Sequence, residues 1–105
     1  MLKHKYRAIP TERDGIKFGS RAEARYYDRL QLAKQSGDLL FFLRQVPFHL
    51  PGSVTYRADF MEFWKDGEVK IIDVKGFDTP QSKQKRKQVE AIYPVKIEIV
   101  KNTNM

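Results

Sequence analysis

The chain has 105 residues, a net charge of +7 and a pI near 9.7, enough for one small domain, residues 1–105, with a single core. It contains no cysteine and only two histidines, His4 and His49; disulfides and thiolate–zinc sites are excluded, a histidine metal cluster is disfavoured, and a reducing cytoplasm is the expected compartment. No apolar run approaches the ~18 residues of a membrane span, the basic N-terminus lacks the apolar stretch of a signal peptide, and the charge excess implies a polyanionic partner, nucleic acid first.

Residues 1–8 carry Lys3, Lys5 and Arg7 without periodicity. They read as a flexible arm suited to a phosphate backbone, or as a frayed terminus. Arg13-Asp14-Gly15-Ile16 reads as a turn between short extended pieces, a small hairpin. Ser20 is a good N-cap, and Glu23 three residues later completes a capping box. The helix they open runs to about Gln35, with Ala22, Tyr26, Leu30 and Ala33 as its apolar stripe and Tyr27 broadening it. Ser36-Gly37-Asp38 stops it. Residues 39–43, Leu-Leu-Phe-Phe-Leu, then predict a strand covered on both faces, ending at Arg44-Gln45-Val46. Pro47, Pro51 and Gly52 punctuate the following connection.

Residues 56–64 and 69–75 read as two strands joined at Lys65-Asp66-Gly67. Thr79-Pro80 opens a second helix. That helix is basic through Lys83, Lys85, Arg86 and Lys87, with Val89, Ile92 and Tyr93 as apolar contacts, and Pro94 ends it. Val95, Ile97 and Ile99 alternate with polar residues as a last strand. The order is helix, three strands, helix, strand.

The chemistry sits on the middle strands. Asp59, and then Asp73-Val74-Lys75, place carboxylates within otherwise apolar segments, where an unpaired charge is costly. A two-residue turn at Asp66-Gly67 would send the two aspartates to opposite faces. A three-residue loop with Gly67 in the left-handed conformation pairs Trp64 with Glu68 and sets Asp59 opposite Asp73. This register is favoured because it gives one apolar face ending in one acidic site. Directly opposed residues have Cβ atoms ~4.5–5.5 Å apart, which suits a shared Mg²⁺ held at ~2.1 Å per oxygen, with Mn²⁺ as a substitute. Such an ion activates water and stabilises a charged phosphate. Lys75 suits the negative charge that develops there. The Val74 carbonyl is a further candidate ligand, and Glu23 another if its helix packs over this face. Gln45 is placed either to hydrogen-bond near the metal and DNA or to satisfy the backbone. Lys83 and Lys87, one turn apart, read as phosphate contacts or as a solvated face.

Asp59, Asp73-Val74-Lys75 and the helical Glu23 together resemble the PD-(D/E)XK nuclease superfamily. Gly15-Ile16-Lys17-Phe18, Ser20-x-Ala22-Glu23, Tyr56-x-Ala58-Asp59-Phe60 and Asp73-Val74-Lys75-Gly76 are similar to a family of small phage-borne proteins assigned to it. Matching segments span residues 5–100. The resemblance implies an α/β, restriction-endonuclease-like core, with a mixed four-stranded sheet flanked by helices. It implies a Mg²⁺-dependent DNA endonuclease in which Asp59, Asp73 and Glu23 are metal ligands and Lys75 is the catalytic lysine. Ala58 stands where the superfamily name has proline, and Asp73 where glutamate is commoner.

A small basic member with no separate sequence-reading domain most resembles the Holliday-junction resolvases, which implies a homodimer acting on branched DNA. Residues 39–43 are then a candidate for burial between subunits, and Lys83, Arg86, Lys87, Lys3, Lys5, Arg7 and Gln45 are candidate DNA contacts. A nicking or end-processing nuclease, and a catalytically silent nucleic-acid-binding module of the same fold, are the alternatives.

Overall fold

A computed structural model describes residues 11–101; the basic arm with Lys3, Lys5 and Arg7 lies outside them. The elements run β1 (Thr11–Arg13), β2 (Ile16–Phe18), α1 (Arg21–Ser36), β3 (Leu39–Leu50), β4 (Val54–Trp64), β5 (Val69–Lys75), α2 (Pro80–Ile92) and β6 (Ile97–Lys101). Strands β3, β4, β5 and β6 form one sheet in that order, and β1 and β2 form a separate hairpin. The first three strands of the sheet are antiparallel neighbours. Strand β6 is parallel to β5 and follows the α2 connection, as a parallel pair requires. The fold is thus an α/β domain with a mixed four-stranded sheet and two helices.

Capping sets the ends of α1. The Ser20 hydroxyl accepts the Glu23 amide at 3.0 Å. At the other end Gly37 takes φ +90°, and the Gly37 and Asp38 amides close onto Lys34 and Ala33 carbonyls, each at 3.1 Å. Ala22, Tyr26, Tyr27 and Leu30 are buried as the stripe predicts. The Tyr26 ring packs 5.2 Å from that of Phe60, and Tyr27 lies 4.9 Å from Phe18. In α2 the Thr79 hydroxyl accepts the Ser82 amide at 3.1 Å. Val89 is its fully buried anchor, whereas Ile92, expected as a core contact, is 51% exposed.

Strand β3 is longer than its sequence suggested and runs through Pro47 to Leu50. It is an edge strand, where a missing N–H is tolerated. For the same reason, the expectation that residues 39–43 are covered on both faces is corrected. Leu40, Phe41 and Leu43 are 59%, 45% and 47% exposed, because the chain supplies cover on one side only of this end of the edge strand.

The β4–β5 hairpin adopts the three-residue loop. Its ladder pairs Phe60 with Ile72, Met61 with Ile71, Glu62 with Lys70 and Phe63 with Val69. The Trp64 amide reaches the Glu68 carbonyl at 2.9 Å, and Gly67, at φ +94°, donates to Trp64 at 3.0 Å. A side chain at that φ would be strained, so Gly67 sets the register.

Two apolar clusters result. One joins α1 to Phe60 and Ile72; the other joins Val89 of α2 to Phe48, Leu50, Tyr56, Ala58, Ile71 and Ile97. Every second residue of β4 from Tyr56 to Glu62 is buried, yet Tyr56 and Ala58 belong to the α2 cluster while Phe60 belongs to the α1 cluster. On β3, Phe42 packs with the α1 cluster and Val46 with the α2 cluster. The β3–β4 ribbon therefore bends between these residues, at Gln45 and Asp59.

Candidate active site

The bend separates β4 from β5 and leaves main-chain donors without a ladder. The last backbone pair is Phe60 with Ile72. One residue further, the carboxylates take over: Asp73 Oδ1 accepts the Asp59 amide at 2.8 Å, and Asp59 Oδ2 accepts the Val74 amide at 2.8 Å. The two aspartates are thus placed side by side across the opening strands, each clamped by the other's strand. The second Asp73 oxygen accepts the hydroxyl of the buried Tyr56.

Glu23 is at the start of α1, buried, and reaches β3. Its Oε2 is 3.4 Å from the Gln45 amide nitrogen and 3.7 Å from the Arg44 guanidinium. The capping box is therefore half used: Ser20 caps the helix, while the Glu23 carboxylate turns to β3. The same Gln45 nitrogen lies 3.4 Å from Asp59 Oδ1, so it stands between Glu23 and Asp59. Arg44 also lies over the Phe18 ring at 4.4 Å, with its Nε buried and unpartnered.

Burial pushes all three acids above the ordinary carboxylate range. For Glu23 the charge on Asp59 adds to burial, and Arg44 opposes it. For Asp59 the Val74 amide and then the Lys75 charge oppose it. For Asp73 the Asp59 amide, Lys75 and Arg86 do so in that order. Lys75, at the half-buried end of β5, is therefore close enough to act on both aspartates.

Among the described residues, no three acidic or histidine side chains converge closely enough to enclose a metal ion. Gln45 lies between two of them, its amide nitrogen 3.4 Å from an oxygen of Glu23 and 3.4 Å from an oxygen of Asp59. The donor set nonetheless fits a hard divalent cation. It offers hard oxygen donors, with Asp59 and Asp73 side by side across the parting strands and burial disfavouring their charged forms until a cation is present.

Of the remaining candidates, Lys83 and Lys87 are exposed on α2. Arg86 is not presented outward: it forms a two-pronged ion pair with Asp78, at 2.9 and 2.5 Å. Tyr56 and Arg44 were missed as site residues. A tyrosine in an apolar strand reads as core, and an arginine after an apolar run reads as the strand's exit. A cleft of about 490 Å³ between α1 and the sheet, lined by Tyr26, Arg29, Glu62, Trp64 and Glu98 among others, includes neither aspartate.

The fold and site together define a small α/β domain with an acidic crevice where two central strands part. Over residues 3–104 the chain matches the family model described as Protein of unknown function (DUF1064), and it belongs to that family. No curated protein and no solved structure matches it. Among the described residues, no helix is long and apolar enough to cross a membrane.

Proposed function

We propose that this protein is a Mg²⁺-dependent DNA endonuclease of the PD-(D/E)XK type, acting as a homodimer on four-way junctions in the cytoplasm. The observation that carries the reading is the crossed pair of Asp59 and Asp73, each accepting an amide from the other's strand at 2.8 Å, with Lys75 two residues beyond. Asp59 and Asp73 would hold the ion, with Glu23 and the Val74 carbonyl as further ligands. Bound there, Mg²⁺ supplies a Lewis acid for the phosphate and lowers the pKa of water.

The chain's own residues do the rest. Lys75 places a positive charge where negative charge develops on the scissile phosphate. Tyr56 fixes the orientation of Asp73 through its hydroxyl. Lys83 and Lys87 engage the sugar-phosphate backbone without reading sequence. The exposed Leu40, Phe41 and Leu43 offer apolar surface to a second copy, and two copies would present two sites to a symmetric junction.

The test compares cleavage of a four-way junction, a splayed fork and linear duplex, with and without Mg²⁺. Preferential, metal-dependent cutting of the junction is expected. Equal cutting of all three rejects the junction assignment and leaves a nicking or end-processing nuclease.

A second reading is favoured by one observation: both Asp73 oxygens already accept protein donors, and among the described residues no three-carboxylate cluster is formed. On that reading the domain binds nucleic acid without cutting it. Absence of cleavage on every substrate, with binding retained, would establish it.

A further inference from the structure

Gln45 has φ +52° in the middle of β3. Among the described residues, the other non-glycine positions with positive φ, Asp14 and Ser53, lie in turns, where short polar side chains tolerate that conformation. Gln45 reverses nothing. Its neighbours Arg44 and Val46 pair in one continuous register with Phe60 and Ala58 of β4, so no residue is gained or lost across it. A long side chain in left-handed backbone inside a strand is unfavourable, and such a conformation persists only where its surroundings fix it.

Two consequences coincide at this residue. Along the backbone, it lies where β3 passes from the α1 cluster, through Phe42, to the α2 cluster, through Val46. Across from it on β4 lies Asp59, one residue past the point where the β4–β5 ladder ends. Through its side chain, one amide nitrogen lies 3.4 Å from Glu23 Oε2 and 3.4 Å from Asp59 Oδ1. A neutral donor thus separates two carboxylates that would otherwise repel each other directly.

We infer that Gln45 is a positioning residue, whose strained backbone opens the sheet and whose amide holds Glu23 and Asp59 at a fixed separation for a shared divalent cation. The inference rests on the metal-dependent reading above. It assigns Gln45 a role inside the site instead of contact with DNA. Partners of this kind, which orient metal ligands without binding the metal, typically cost 10–100-fold in affinity when removed.

The experiment uses the full chain and two variants, Gln45→Gly and Gln45→Met. Glycine removes both the strain and the amide; methionine keeps the length and the strain but cannot donate. Mn²⁺ affinity is measured by calorimetry without DNA, alongside thermal melting. Both variants are expected to bind Mn²⁺ about 10-fold more weakly than the parent. Gln45→Gly alone is expected to melt higher, by roughly 3 °C, since relief of left-handed strain outweighs the extra freedom of glycine in the unfolded chain.

Mn²⁺ affinity within twofold of the parent in either variant overturns the positioning role. A melting temperature for Gln45→Gly at or below the parent's overturns the strain. A parent that binds no Mn²⁺ overturns the metal reading itself together with this inference, whereas a parent that binds it and variants that match it overturn the inference alone.

Discussion

Glu62 lies three residues from Asp59 on β4 and is fully buried. The Tyr26 hydroxyl donates to one of its oxygens at 2.6 Å and the Trp64 indole to the other at 3.0 Å. Burial pushes its carboxyl above the ordinary range, and the two donors only partly oppose this. Ionisation is disfavoured more in the folded than in the unfolded chain, so stability is greatest with Glu62 protonated. It falls as pH rises from the ordinary carboxylate range to the raised folded value. Glu62→Gln removes this dependence and, with Tyr26 free to reverse its hydroxyl, is expected to stabilise the protein at pH 7 by on the order of 1 kcal/mol. The expected gain is smaller at pH 4; chemical denaturation at both values checks it. An equal effect at both would detach it from ionisation.

Legibility in the sequence differed sharply between residues of this kind. Asp59 and Asp73 stood out as charges in apolar strands, and Gly67 in the loop joining those strands supplied the register. Glu62 lies in an equally apolar strand and carried no signal of its own, because nothing in sequence reveals that Tyr26 and Trp64 converge on it. Glu23 was legible as a cap, whereas its carboxylate turns to β3, a contact that depends on tertiary packing.

Among the elements, α1 and α2 were the most legible, because capping residues and a terminating glycine or proline act locally. Strand β3 was the least. Pro47 reads as a stop, yet an edge position accommodates it, and edge position is a property of the whole sheet. The bend at Gln45 was hidden for the same reason: a glutamine carries no turn signal. On α2 the sequence showed four cations as a block, but it did not show that Arg86 folds back onto Asp78. Lys83 and Lys87 remain on the exposed side. Replacing both with alanine is expected to reduce the slope of log affinity against log salt by ~0.9 per lost phosphate contact. Fluorescence anisotropy on labelled duplex DNA from low to moderate salt reads this. An unchanged slope would return both lysines to a solvated surface.

At the scale of the molecule, a net charge of +7 and a buried cluster of acids are opposed in sign, and that opposition is what the proposed DNA cleavage would require. On the proposed reading, the basic surface would collect a polyanion by long-range attraction. The buried carboxylates then need a cation before a phosphate can approach them. Lys75 sits where those two demands meet. The most direct test is single-turnover cleavage of a four-way junction in Mg²⁺ by the parent and by Lys75→Ala, with binding measured separately in Ca²⁺. The parent is expected to cut, and Lys75→Ala to bind within twofold but cut about 10²–10³-fold more slowly. Cleavage by Lys75→Ala at the parent's rate, or a parent that binds the junction and never cuts it, would contradict the proposed function.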